Sequence, residues 1–165
     1  MRKKNDGTVL SRFCHSGLAI VCAVFLAATI AEAAQPTLHL HVKIMTGDEG
    51  LKDHNKLQAI VRLSDGKDQE FPLHEANTPG WKPHTTFETD LELKNVDRRA
   101  AIIGIMLQFD PGQPGTYDRG WNMQGISVWE GHTRRLIEAV GGPGDYDCVM
   151  QFKAGSGTIT YFIPL

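Results

Sequence analysis

What most constrains this chain is a strict period-two alternation of apolar and polar residues. From Thr37 to Thr46, Leu38, Leu40, Val42 and Ile44 fall on one side, and His39, His41, Lys43 and Met45 on the other. Residues 85–93 repeat the pattern, with Phe87, Thr89, Leu91 and Leu93 alternating with Thr86, Glu88, Asp90 and Glu92. Successive side chains of a strand point to opposite faces of its sheet, so both segments read as strands with one face on a core and one in water. Residues 101–109 are instead apolar on both sides around Gly104, as in a central strand covered on both faces.

The intervening sequence supplies further strands and their turns. Leu57, Ala59, Val61 and Leu63 alternate up to Asp65-Gly66, a hairpin signal because glycine tolerates the positive φ of a tight turn. A strand over 68–73 follows, placed at an edge by Pro72, which cannot donate to a ladder. From Trp121, Met123 shares a face with Ile126 and Val128 only if an extra residue enters near Gln124-Gly125, which predicts a β-bulge. Residues 134–140, 147–153 and 158–163 complete the set, the first as a strand or a helical turn. The fold class is therefore all-β, an antiparallel β-sandwich of about eight strands. If successive strands alternate in direction, the loops 47–55, 74–84, 110–120 and 141–146 share one end. The Asp65-Gly66 turn and residues 94–99, 131–133 and 155–157 then share the other. Loops on a rigid scaffold are where binding residues usually sit, so the end with the long loops is the expected functional surface.

The N-terminus has a different character. Arg2, Lys3, Lys4 and Arg12 precede an apolar run over 18–30 and the small-x-small site Ala31-Glu32-Ala33. This is the tripartite pattern of a secretory signal peptide, and the run is shorter than a membrane-spanning helix requires. The expected organisation is a signal peptide over 1–33 and a single β-sandwich domain over 34–165, in a secreted or periplasmic protein. Of three cysteines, only Cys148 lies beyond the leader. A disulfide framework is thereby excluded; stability must come from a core, with Cys148 expected as a small buried side chain and the protein as a monomer. The formal net charge of −2 becomes more negative once the basic leader is removed, which argues against nucleic acid as a partner.

The order of these features resembles the PLAT, or lipoxygenase-homology (LH2), domain. The matching pieces are a first strand running into Thr46-Gly47-Asp48, a polar loop around Asp53, a strand ending in Asp65-Gly66, the strand from Phe87 to Leu93, the segment from Ile102 to Leu107, and Gly120-Trp121 leading to Ile126-Ser127-Val128. The resemblance covers a core of about residues 38–130 and leaves 131–165 as a C-terminal strand extension. It departs from the family pattern in a longer, Trp-containing loop at 74–84 and in Asn122-Met123. The resemblance implies a non-catalytic module that docks on a lipid, membrane or protein surface, in some members with calcium at the loops.

Several residue groups bear on chemistry. Asp48, Glu49 and Asp53 in one loop, with Asp110 and Asp118 in another at the same end, offer the hard oxygens that Ca²⁺ requires. Aspartate is also favoured in turns for bonding its own backbone, which explains the same residues without a metal. Trp81, Tyr117, Arg119 and Lys52 are the expected ligand-binding surface at that end, with Trp81 exposed. Trp121 is expected in the core. His39 and His41 share a strand face and would hold zinc or copper given a third ligand such as His54 or His84. That is the alternative reading, a small periplasmic metal-binding protein or metal-dependent hydrolase. No serine lies in a nucleophile elbow, and Glu88, Asp90 and Glu92 are explained as the wet face of a strand. The reading is of no enzyme. Mass spectrometry of the protein from its native host should find the N-terminus near Ala34; an intact segment from Met1 to Ala33 would refute export with cleavage.

Overall fold

The computed structural model describes residues 35–112, 120–131, 133–142, 148–153 and 157–165. The chain divides into two compact units, Met1–Ala33 and Ala34–Leu165, and the described residues all belong to the second. The signal-peptide reading of 1–33 thus lies outside them. Among the described residues no helix is long and apolar enough to cross a membrane.

Among the described residues the strands are β1 (Thr37–Thr46), β2 (Lys56–Leu63), β3 (Asp68–His74), β4 (Thr86–Lys94), β5 (Ile102–Asp110), β6 (Trp121–Glu130), β7 (Arg135–Gly141), β8 (Met150–Phe152) and β9 (Ile159–Pro164), with a 3₁₀ turn, Arg99–Ala101, before β5. One sheet runs β4-β1-β6-β7 with β8 also on β6; the other runs β3-β2-β5-β9; every pairing is antiparallel. The expected β-sandwich is what forms. Leu40, Val42 and Ile44 of β1 meet Ala59 and Val61 of β2 and Ile105 and Leu107 of β5 in one core, all essentially without solvent contact.

Local expectations translate into register. The Asp65-Gly66 turn closes the β2–β3 hairpin with Gly66 at φ 81°, and Arg62 pairs with Asp68 across it, Nε to Oδ1 at 3.2 Å and Nη2 to Oδ2 at 3.0 Å. The Arg62 hydrogen bond holds the Asp68 carboxyl below its ordinary value. Pro72 lies in β3, an edge strand. The β1–β6 register jumps from Met45↔Gly125 to Thr46↔Met123, leaving Gln124 as the extra residue of a bulge. Residues 135–141 form a strand, not a helical turn.

Three expectations are corrected. Among the described residues the outer face of β5 carries no second layer: Ile103 is 45% exposed, and Ile60, Met106 and Phe162 are cross-strand neighbours over β2, β5 and β9. The Phe162 ring lies directly over Gly104, where a Cβ would meet it at 2.5 Å, so a glycine in a central strand here makes room for an aromatic from its neighbour. The alternation of strand direction fails after β7. Both β7 and β8 run antiparallel to β6 on the same side of it, β7 opposite 125–130 and β8 opposite 121–123. They are two segments of one interrupted strand, so β8 ends and β9 begins at the end with the long loops, Phe152 opposite Trp121 and Ile159 opposite Phe109, rather than at the opposite end. Finally Cys148 is exposed, because it precedes β8 outside the sheet and contributes nothing to the core.

Trp121 is fully buried, as expected, and stacks on Phe152 with ring centroids 4.9 Å apart. Trp121→Ala should lower stability by about 3–5 kcal/mol, the range for emptying an aromatic core site. Chemical denaturation checks this, and a midpoint equal to wild type would contradict the burial.

Candidate functional site

The loop-rich end is built on aromatic packing. Phe109 is the penultimate residue of β5, Trp121 opens β6 and Phe152 ends β8, so three strands from both sheets deliver large rings to one place. Phe109 and Phe152 lie 5.4 Å apart and Phe109 and Trp121 6.2 Å apart. Trp81, from the loop between β3 and β4, is half-buried on this cluster. It stacks on Phe87 at 4.3 Å and sets its edge against Trp121 and His74, each at 6.0 Å. The expectation of an exposed Trp81 is corrected: its ring is spent on closing the core, because the loop that carries it folds back over the sandwich.

That loop is tied to the one between β1 and β2. Gly50 and Gly80 permit the crossing, since a Cβ on Gly50 would sit 2.1 Å from the Trp81 carbonyl oxygen and one on Gly80 2.1 Å from that of Leu51. Leu51 is buried beneath. Thr46, Asn55 and His74, the buried polar residues among those described, all lie here and all bond to loop backbone. The Thr46 hydroxyl donates to the carbonyls of Lys82 at 2.8 Å and Thr85 at 3.0 Å and accepts from the Thr85 N–H at 2.9 Å, geometries it shares among partners. Asn55 accepts from the Lys52 N–H at 2.8 Å and donates to the Pro111 carbonyl at 3.0 Å, joining a third loop. His74 places Nδ1 3.0 Å from the Asn55 carbonyl and Nε2 3.2 Å from the Thr78 hydroxyl. A buried polar group costs stability unless it is bonded, so these residues fix one arrangement of the loops.

The expected calcium ligands are placed as follows. Asp53 accepts the Gly80 N–H on Oδ1 at 2.7 Å, and its carbonyl accepts the Asn77 N–H at 2.6 Å. Asp110 accepts the Gly112 N–H at 2.9 Å. Asp48 is exposed, 3.3 Å from His84 Nε2. Lys52 is exposed at the same end. Tyr117, Asp118 and Arg119 lie outside the described residues. Among the described residues no three His, Cys, Asp or Glu side chains gather as a metal group, and Asp53 and Asp110 act as loop acceptors. His39 and His41 stand toward the opposite end of β1 from the loops bearing His54 and His84, so the strand's own length separates them from those expected third ligands.

Sequence reasoning passed over Asn122 as a candidate ligand. Asn122 donates its backbone N–H to the Glu49 carbonyl at 3.1 Å, and its own carbonyl accepts from the Gly47 N–H at 2.8 Å. Glu49 Oε2 and Asn122 Oδ1 are both buried with no hydrogen-bond partner, as is the Trp121 indole N–H nearby in sequence. One oxygen of a half-exposed carboxylate and one amide oxygen, each withdrawn from water without a donor, carry a desolvation cost that a cation would offset. Only the bulged β6 backbone, which brings Asn122 beside the β1–β2 loop, reveals this pair.

This architecture is a PLAT-like (lipoxygenase-homology-like) β-sandwich. No protein-family model matches the sequence, and no curated protein matches it. Solved structures do match the fold. The alpha toxin of Clostridium absonum superposes with a TM-score of 0.57 over 84% of this chain at 16% identity. An alpha-toxin of Clostridium perfringens from avian strain SWCP does so with 0.58 over 82%, also at 16% identity. An engineered LOX gives 0.50 over 77% at 13% identity. The match spans 34% of each toxin chain and 16% of the LOX chain, and at these identities the likeness is one of fold. If the loop crossing is as tight as described, Gly50→Ala should cost about 1–3 kcal/mol, as for an overpacked interior site. Thermal melting tests it; an unshifted transition would mean the two loops can part freely.

Proposed function

We propose that this protein is an exported, non-catalytic binding module that docks on a lipid surface through its loop-rich end, with calcium assisting. The observation that carries the reading is that Glu49 Oε2 and Asn122 Oδ1, on residues joined backbone to backbone, are each buried without a hydrogen-bond partner beside loops tied together by buried polar side chains. Ca²⁺ takes six to eight oxygens, several of them carbonyls, so Glu49 and Asn122 would hold it together with neighbouring loop oxygens. Asp48, exposed in the same loop as Glu49, is available to add a carboxylate. A bound cation would offset the carboxylates of Asp48, Glu49 and Asp53 at this end, where Lys52 and Lys82 are also exposed, which favours an anionic lipid surface. The fold-level likeness to alpha toxins and a LOX supports a docking module by analogy, and the family resemblance in the sequence points the same way.

The test is sedimentation with vesicles of phosphatidylcholine and phosphatidylserine, in calcium and in chelator, alongside thermal melting. Calcium at roughly 100 times its Kd should add about 2.7 kcal/mol of stability and drive co-sedimentation. Glu49→Gln should remove the calcium shift while Asp53→Ala, whose carboxylate serves the loop, retains it. A protein that stays in the supernatant under both conditions would refute lipid docking. Melting curves indifferent to calcium would remove the ion from the account.

A further inference from the structure

A second concave surface lies on the outer face of the β4-β1-β6-β7 sheet, away from the long loops. It is a groove of about 500 Å³ lined by His41, Lys43, Glu88, Asp90, Trp129 and Arg134, with Gly131 at its edge. Its residues come from neighbouring strands in register: Asp90, His41 and Trp129 form one cross-strand row and Glu88, Lys43 and Ser127 the next. We infer that this groove is a binding site for an oligosaccharide of neutral pyranose units.

Four features lead to that ligand. The charges balance, two carboxylates against Lys43 and Arg134, so the groove selects neither a strong anion nor a strong cation. It presents acceptors and donors side by side, which suits hydroxyl groups because each hydroxyl both donates and accepts. Trp129 is half-exposed and adds an apolar ring face beside the polar groups, with the His41 ring 5.6 Å away and tilted by 47°. A pyranose has the matching character, C–H groups on its faces and hydroxyls around its rim. The volume lies within the ordinary range of ligand pockets, about 300–1,000 Å³.

The site is also preorganised. His41 is held by Asp90, Nδ1 to Oδ1 at 2.9 Å, with Glu88 3.6 Å from Nε2; Glu88 in turn receives Lys43 at 3.1 Å. All four stand on strands, which position side chains better than loops do. The pairs are partly exposed, and exposed ion pairs contribute little to stability, so ligand hydroxyls can join or replace them cheaply. Arg134 is set at the rim in a left-handed conformation, φ 49°, sparsely populated for a residue with a side chain. Gly131 donates to the His39 carbonyl at 2.8 Å, and a Cβ there would meet the His39 Cβ at 2.9 Å, so only glycine lets this turn close against β1 beside the groove.

The test titrates the purified protein with linear hexasaccharides of β-1,4-glucan, β-1,3-glucan, xylan, mannan and chitin, read by tryptophan fluorescence and calorimetry. At least one should bind saturably, with a change in Trp emission. Trp129→Ala should weaken that binding by about tenfold or more, Asp90→Asn by a smaller factor, and Trp129→Phe should keep most of it. Circular dichroism and melting temperature report whether each variant is folded, and Arg134→Ala, at an exposed turn, provides a substitution that leaves the strands intact. Absence of saturable binding across the panel would overturn the proposal. So would binding that survives Trp129→Ala and Arg134→Ala unchanged, or selective binding of an unfractionated peptide mixture in place of every sugar.

Discussion

The packing of Trp121 against Phe152, Phe109 and Trp81 is the contact on which the rest of the sandwich depends. The core at the loop-rich end is closed by large rings contributed from both sheets. Here β5, β6 and β8 each supply one aromatic ring, and the loop between β3 and β4 folds over them to add a fourth. Aromatic rings bury large areas and prefer stacked or edge-on contacts, so the cluster joins both sheets and anchors the loops. The loops above can be long without being loose because their foundation is part of the core.

This makes the two ends of the molecule physically different. At the loop-rich end, buried Thr46, Asn55 and His74 convert backbone groups of three loops into one bonded network, and glycines at 50 and 80 allow backbone to touch backbone. Toward the other end, turns are short and the polar groups stand on the strands, leaving an open groove beside Trp129 rather than a raised platform. One scaffold thereby combines a set of loops tied together at one end with a polar groove on a sheet face.

Much of this architecture was legible in the chain. The alternation in 37–46 and 85–93, the Asp65-Gly66 turn, Pro72 at an edge and the bulge at Gln124 are consequences of local geometry, and each emerges where the sequence places it. The misreadings share another origin. Trp81, between a glycine and a lysine, looked exposed, and its burial depends on how far the loop folds back, which no neighbouring residue records. Cys148 looked buried because cysteines usually are, and its exposure follows from lying just before β8 rather than in it. The apolar residues of 101–109 suggest two covering layers, whereas among the described residues one side meets only Ile60 and Phe162 from flanking strands.

What the sequence by itself determined is the period of the strands, the faces they bury, the turns between them and the outline of a PLAT-like order, because these depend on residues within a few positions of one another. Only the tertiary structure decided which loops meet, that β7 and β8 prolong a single line along β6, and that Asp53 serves a neighbouring loop while Glu49 and Asn122 hold buried oxygens without donors. It alone brought His41, Glu88, Asp90 and Trp129 to one groove. These relations join residues far apart in the chain, and they are set by the register of paired strands and by which side chains fill the space between two sheets.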